Sequence, residues 1–195
     1  MVLENPLWAG VCALYGKPGV AQACLALQGQ GYSVNSLLTS LWCGLHGRQL
    51  GQEAEYFDHW PPLQAWRKAV TEPVREARFG FRSQTDKGQL LTRKDDKAVA
   101  TMYDTFKSLE LGCEQLEVAL IYASLQRNGE QSLQELPDKS AQFACIRENL
   151  ATYLNAGKLS PDFCFSGDAE ALLHAAYELT EGAVKRGEAS SSTES

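Results

Sequence analysis

Histidine is scarce in this chain: His46, His59 and His174 are the only three in 195 residues. None follows a glutamate by three positions, so the Glu-x-x-His pairs that build di-iron sites in helical bundles are missing. Glu55 and His59 stand four apart, but Pro61 is close by and no third ligand accompanies them. No metal and no cofactor are expected on these grounds. The six cysteines form no C-x-x-C pair, and most fall at apolar-periodic positions, where cysteine acts as a small hydrophobe. The start, Met-Val-Leu-Glu-Asn-Pro, has neither a basic region nor a long apolar stretch. Reduced thiols in the cytoplasm are therefore the expectation. No Gly-x-Ser-x-Gly elbow occurs, which leaves serine catalysis without its usual signature. Gly44, Gly47 and Gly51 lie around His46 and Arg48, but no Gly-Lys-Ser/Thr follows, so turn chemistry is expected there and not a phosphate loop. No apolar run approaches the roughly 18–20 residues that span a bilayer. No segment keeps the period-two alternation of a strand beyond a few residues.

The hydrophobic and charged shares, 44% and 22%, are those of a folded globular chain. The net charge of −6 argues against general binding to nucleic acid or anionic membrane. The charge is unevenly spread. Arg67 to Lys97 holds nine of the eighteen Lys and Arg against five acids, so this segment is basic inside an acidic protein. Within it Arg67, Arg75, Arg78 and Arg82 fall within roughly a quarter of a helical circumference.

The longest periodic run is Asp95 to Asn128, with no proline and one internal glycine, Gly112. Val99, Met102, Phe106, Leu109, Cys113, Leu116 and Leu120 alternate three and four apart, which predicts a seam facing a partner helix. Glu110, Glu114 and Glu117 form a carboxylate row at the shoulder of that seam. A first helix is expected to start at Asn5-Pro6, with Leu7, Val11, Leu14 and Tyr15 on its inner apolar face, and to be broken by Lys17-Pro18-Gly19. Others are expected at about Val20–Gln28, Val34–Leu45 after Ser33, Leu63–Arg82, Lys139–Asn155 and Ala169–Val184. Pro73 predicts a kink or restart near Thr71-Glu72. Ser83–Arg93 is expected to be an exposed polar loop, Glu130–Glu135 a helical turn, and Ser160–Phe165 a linker with aromatic anchors. The fold class is therefore all-α: a single-domain irregular bundle of about six to eight helices around the long helix. Residues 1–186 form the domain, and the serine-rich 187–195 is expected to be an unstructured tail.

Several phrases together resemble a proteobacterial family of small, all-helical proteins of unknown function. They are Asn5-Pro6-Leu7-Trp8, Pro18-Gly19-Val20, Val34-Asn35-Ser36-Leu37-Leu38 and Leu41-Trp42-Cys43-Gly44, then Pro73-Val74-Arg75-Glu76-Ala77-Arg78 and Lys107-Ser108-Leu109-Glu110-Leu111-Gly112-Cys113-Glu114. The match covers most of residues 5–125 and departs at Ser36, Ser40 and Phe79, where an aliphatic or basic residue is typical. The resemblance implies an all-helical cytosolic protein and supplies no reaction.

Arg75 and Arg78 border one apolar face as Glu110 and Glu114 border another, so the two helices should pack with these charges meeting at the edge. Asn35, one position inside a cap on the most apolar helix, is either a spare capping amide or a buried polar contact. Asn35, Arg75, Arg78, Lys107, Glu110 and Glu114 are the candidate ligand-binding residues or buried polar network. The expected function is a non-enzymatic interaction or adaptor protein with a protein partner. The alternative is a binder of a small anionic ligand, or an enzyme, using the arginine–glutamate cluster. Nucleic-acid binding through 67–97 is the weakest of the three, and no membrane partner is expected.

Overall fold

The computed structural model describes residues 2–50, 59–86, 96–127, 136, 138–155 and 167–191. The segment 52–57, the junctions at Asp95 and at Asn128-Gly129, and the stretch 156–165 with Cys164 lie outside the described residues. No strand occurs among the described ones.

Asn5 caps α1 (Pro6–Tyr15) by accepting a hydrogen bond from the Trp8 amide at 2.9 Å, with Pro6 in the first turn. α2 (Val20–Gln28) follows Gly19, whose φ of 81° suits a residue without a Cβ. α3 (Val34–Leu45) starts at Ser33, whose hydroxyl accepts from the Ser36 amide. Every residue of α3 from Asn35 to Gly44 is buried, as befits a helix surrounded by others.

The next rod has three parts. α4 (Pro61–Trp66) runs into a π turn (Arg67–Thr71), and that runs into α5 (Glu72–Asp86). Pro73 lacks an N–H and cannot extend the α ladder. The Glu72 amide reaches the Arg67 carbonyl, five residues back. The break expected at Thr71-Glu72 is thus a widened turn within a continuous rod. α6 (Asp96–Arg127), α7 (Lys139–Asn155) and α8 (Gly167–Ser191) complete the chain. With α4, the π turn and α5 counted as one rod, the described residues make seven helices.

α7 lies closest to α3. Gly44 allows this, because a Cβ there would sit 2.5 Å from the Ile146 Cα. Gly44 is therefore a helical packing glycine and not the turn residue its neighbourhood suggested, whereas Gly47, at φ 68°, is a turn glycine. Asn149 on α7 is 1% exposed; it donates to the carbonyls of Ser40 and Arg48 and accepts from the Leu50 amide. These bonds satisfy backbone groups where the chain leaves α3. At the other end of α3, the Ser33 amide donates to the Tyr153 hydroxyl, and Tyr32 donates to the Leu154 carbonyl. α8 packs over α2, α3 and α7. It runs to Ser191, into the stretch read as an unstructured tail, and 192–195 lie outside the described residues.

The long helix is rotated from the expected seam. Met102 and Leu109 are more than half exposed. The buried stripe is Glu110, Cys113, Glu117, Val118, Ile121 and Leu125. Two carboxylates occupy inward positions because the facing rod supplies guanidinium partners there. A pattern of apolar residues alone cannot reveal such partners.

Candidate functional site

α5 and α6 run antiparallel, and their charged borders meet. Arg75 Nε donates to Glu110 Oε1 at 2.8 Å, and Arg75 Nη2 to Glu114 Oε1 at 3.0 Å. Arg78 Nε donates to the other oxygen of Glu110, and Arg78 Nη1 to the Tyr103 hydroxyl at 3.1 Å. Glu110 is 8% exposed and holds two guanidinium groups at once. Arg67, two turns away, donates from Nε to Glu117 Oε2 at 2.9 Å and from Nη2 to Ser33 Oγ at 2.8 Å.

The π turn makes this ladder possible. From Arg67 to Arg75 is eight positions, while their partners Glu117 and Glu110 are seven apart. In an unbroken α-helix eight steps would swing Arg67 by roughly 80° off the Arg75 line. The wider π turn absorbs one residue, so the two arginines act as i and i+7 and face the same helix.

Asn35 is the buried contact and not a spare cap: its Nδ2 donates to Glu117 Oε2 at 3.3 Å. It joins the Arg67–Glu117 pair, not Glu110. Lys107 stays outside the network. Its ammonium pairs with Asp104 at 2.7 Å and lies 5.3 Å from the centre of the Tyr103 ring. Arg67 and Glu117 were visible in the stripe and the row, yet the sequence assigned them no site role. Tyr103 and Thr71 carried no sequence signal.

All six candidate residues line one cleft of about 650 Å³ between α1, α2, α3, α5 and α6. Trp8, Tyr15, Leu25, Phe79 and Leu111 supply apolar walls, and Leu25, Phe79 and Leu111 are each more than half exposed. Tyr15 lies on this surface and not on the inner face expected for it. A smaller lobe of about 340 Å³ adjoins the cleft and shares Gln28, Val34, Asn35, Arg75 and Glu114 with it. Cys12, the thiol in the cleft wall, is pushed up by burial and by Glu4, which disfavours the thiolate. Among the described residues, no group of three or more His, Cys, Asp or Glu could hold a metal ion.

The glutamates titrate in opposite senses. Burial by itself would raise Glu110, but hydrogen bonds from Arg75 and Arg78 outweigh it and hold the carboxyl below the usual range. Burial pushes Glu114 up, and Arg75 only partly offsets that. The stabilisation from Glu110 is therefore present in full above its unfolded pKa and is lost as pH falls through the depressed folded value. Glu114 contributes stability at pH below its unfolded pKa, lost as pH rises through the raised folded value. In thermal melts from neutral pH to about pH 3, the gap between wild type and Glu110→Gln is expected to close. The gap between wild type and Glu114→Gln is expected to widen in favour of wild type. Parallel curves for the two variants would refute the assignment.

The fold and the cleft define an all-helical bundle protein with an arginine–glutamate ladder along one groove. Its sequence from residue 6 to residue 121 matches the family described as "Protein of unknown function (DUF2390)", and the chain belongs to that family. The matched region contains every residue of the ladder. No curated protein and no solved structure matches the chain. No helix among the described residues is long and apolar enough to cross a membrane.

Proposed function

We propose that this chain is a non-enzymatic interaction protein, a single helical domain over 1–186. Its large cleft receives an apolar partner segment that carries a carboxylate. The observation that carries this reading is the pairing of exposed Leu25, Phe79 and Leu111 with a floor where Glu110 and Glu114 hold Arg75 and Arg78, and where Lys107 also lines the cleft. Apolar side chains left in water beside a groove favour burial by a partner. Glu110 and Glu114 hold Arg75 and Arg78, so Lys107, paired only with the exposed Asp104, is the cation that favours an acid among the partner's side chains. The lining residues include no histidine, and the one thiol is disfavoured as a thiolate, so the wall offers binding chemistry more readily than proton transfer. Cys12, Cys24, Cys113 and Cys145 are free thiols, which supports a reducing setting such as the bacterial cytoplasm.

Calorimetric titration with short peptides that combine Leu or Phe with Asp tests the reading. Binding in the micromolar range is expected, weakened at least about tenfold when Lys replaces Asp or when the protein carries Phe79→Ser. Equal binding of acidic and basic peptides, or binding by neither, overturns it.

A further inference from the structure

We infer that the smaller lobe at the N-terminus of α3 is a separate site for a small zwitterion, the headgroup of a free α-amino acid. This does not rest on the partner reading of the large cleft. The first observation is Thr71. It lines the lobe, is 2% exposed, and its hydroxyl has no hydrogen-bond partner. A helical threonine ordinarily bonds to the carbonyl four residues back. Here the Arg67 carbonyl accepts from the Glu72 amide across the π turn instead. A buried hydroxyl without a partner is costly, and π turns are frequent at binding sites.

The second observation is the pattern of donors and acceptors beside Thr71. Arg75 Nε and Nη2 are committed to Glu110 and Glu114, while Nη1 bonds to no described residue. The Val34 and Asn35 amides belong to the first turn of α3, before the helical ladder begins. Together they offer donors and a positive helix end to a carboxylate. Glu72 and Glu114 line the same lobe and offer acceptors to an ammonium.

Charge decides between ligand types. The lobe is lined by two guanidinium groups, on Arg67 and Arg75, and by three carboxylates, on Glu72, Glu114 and Glu117. Arg67 and Glu117 already neutralise each other. Arg75 is shared between Glu110 and Glu114, so its Nη1 is the donor left for a carboxylate and Glu72 the carboxylate left for an ammonium. A zwitterion satisfies both and adds no net charge. At about 340 Å³ the lobe lies at the small end of ligand sites, about 300–1,000 Å³, which suits an amino acid better than a peptide or a nucleotide.

The test is calorimetry and thermal shift on the full chain with the common free α-amino acids. Each binder is then compared with its N-acetyl derivative, which lacks the cation, and its carboxamide, which lacks the anion. At least one free amino acid is expected to bind, with either block weakening it at least about tenfold. Thr71→Val is expected to raise the melting temperature of the unliganded protein and to weaken amino-acid binding about fivefold. A merely structural threonine would leave the affinity alone. Failure of every amino acid to bind, equal binding of the N-acetyl form, or unchanged affinity in Thr71→Val each overturns the inference.

Discussion

Replacing Glu110 with alanine is expected to lower the unfolding free energy by about 3 kcal/mol. One carboxylate at 8% exposure serves both Arg75 and Arg78. Its removal strands two guanidinium groups at the edge of the core. Arg78 is the more deeply placed, at 17% side-chain exposure, against 32% for Arg75. The Arg75 share is discounted accordingly, because solvent screens a charge that is a third exposed. Arg75 also keeps Glu114, and Arg78 keeps the Tyr103 hydroxyl, so the loss stays below the upper end for a fully buried pair. Denaturant unfolding with linear extrapolation measures this, with an unchanged m-value expected. A loss under about 1 kcal/mol would mean the ladder behaves as an ordinary surface ion pair.

Gly44→Ala is expected to cost about 3 kcal/mol or more, against the sign of helix propensity. Within an isolated helix, alanine in place of glycine favours the fold by about 1 kcal/mol. Here the added methyl would sit 2.5 Å from the Cα and 2.7 Å from the nitrogen of Ile146. Those are backbone atoms and cannot rotate aside. α7 would have to move off α3, loosening Ile146 and Leu150 in the core and the Asn149 bonds to Ser40 and Arg48. Gly112→Ala is the control: it is helical too, and an added Cβ there meets nothing within 4 Å. That variant is expected to be neutral or slightly stabilising. If both substitutions shift the denaturation midpoint in the same direction, the close approach of α3 and α7 is not what sets the cost.

The helices were legible because each carries its own punctuation. Asn5-Pro6, Ser33 and the spacing of the apolar residues are local signals, and the bounds of α1, α2, α3 and α7 follow from them. The meeting of Arg75 and Arg78 with Glu110 and Glu114 was legible too, because two stripes of opposite charge beside apolar faces have one low-energy arrangement.

The inward stripe of the long helix was not legible. A periodic pattern ranks residues by hydrophobicity, and that ranking places Met102 and Leu109 inside and the glutamates no deeper than the shoulder of the seam. The partner helix overrode it by offering guanidinium groups to the buried carboxylates of Glu110 and Glu117. The π turn was equally hidden. Pro73 marks a disruption, but whether the chain kinks, restarts or widens depends on what the disrupted rod packs against.

The amino-acid order by itself determined an all-helical chain, the ends of most helices and the two charge stripes, since those depend on residues within a few positions of one another. Tertiary structure alone decided which side of the long helix turns inward, that Gly44 is a contact point and not a turn, and that the six candidate residues share one cleft. Each of these depends on atoms far apart in sequence, whose mutual cost exists only once the helices are packed.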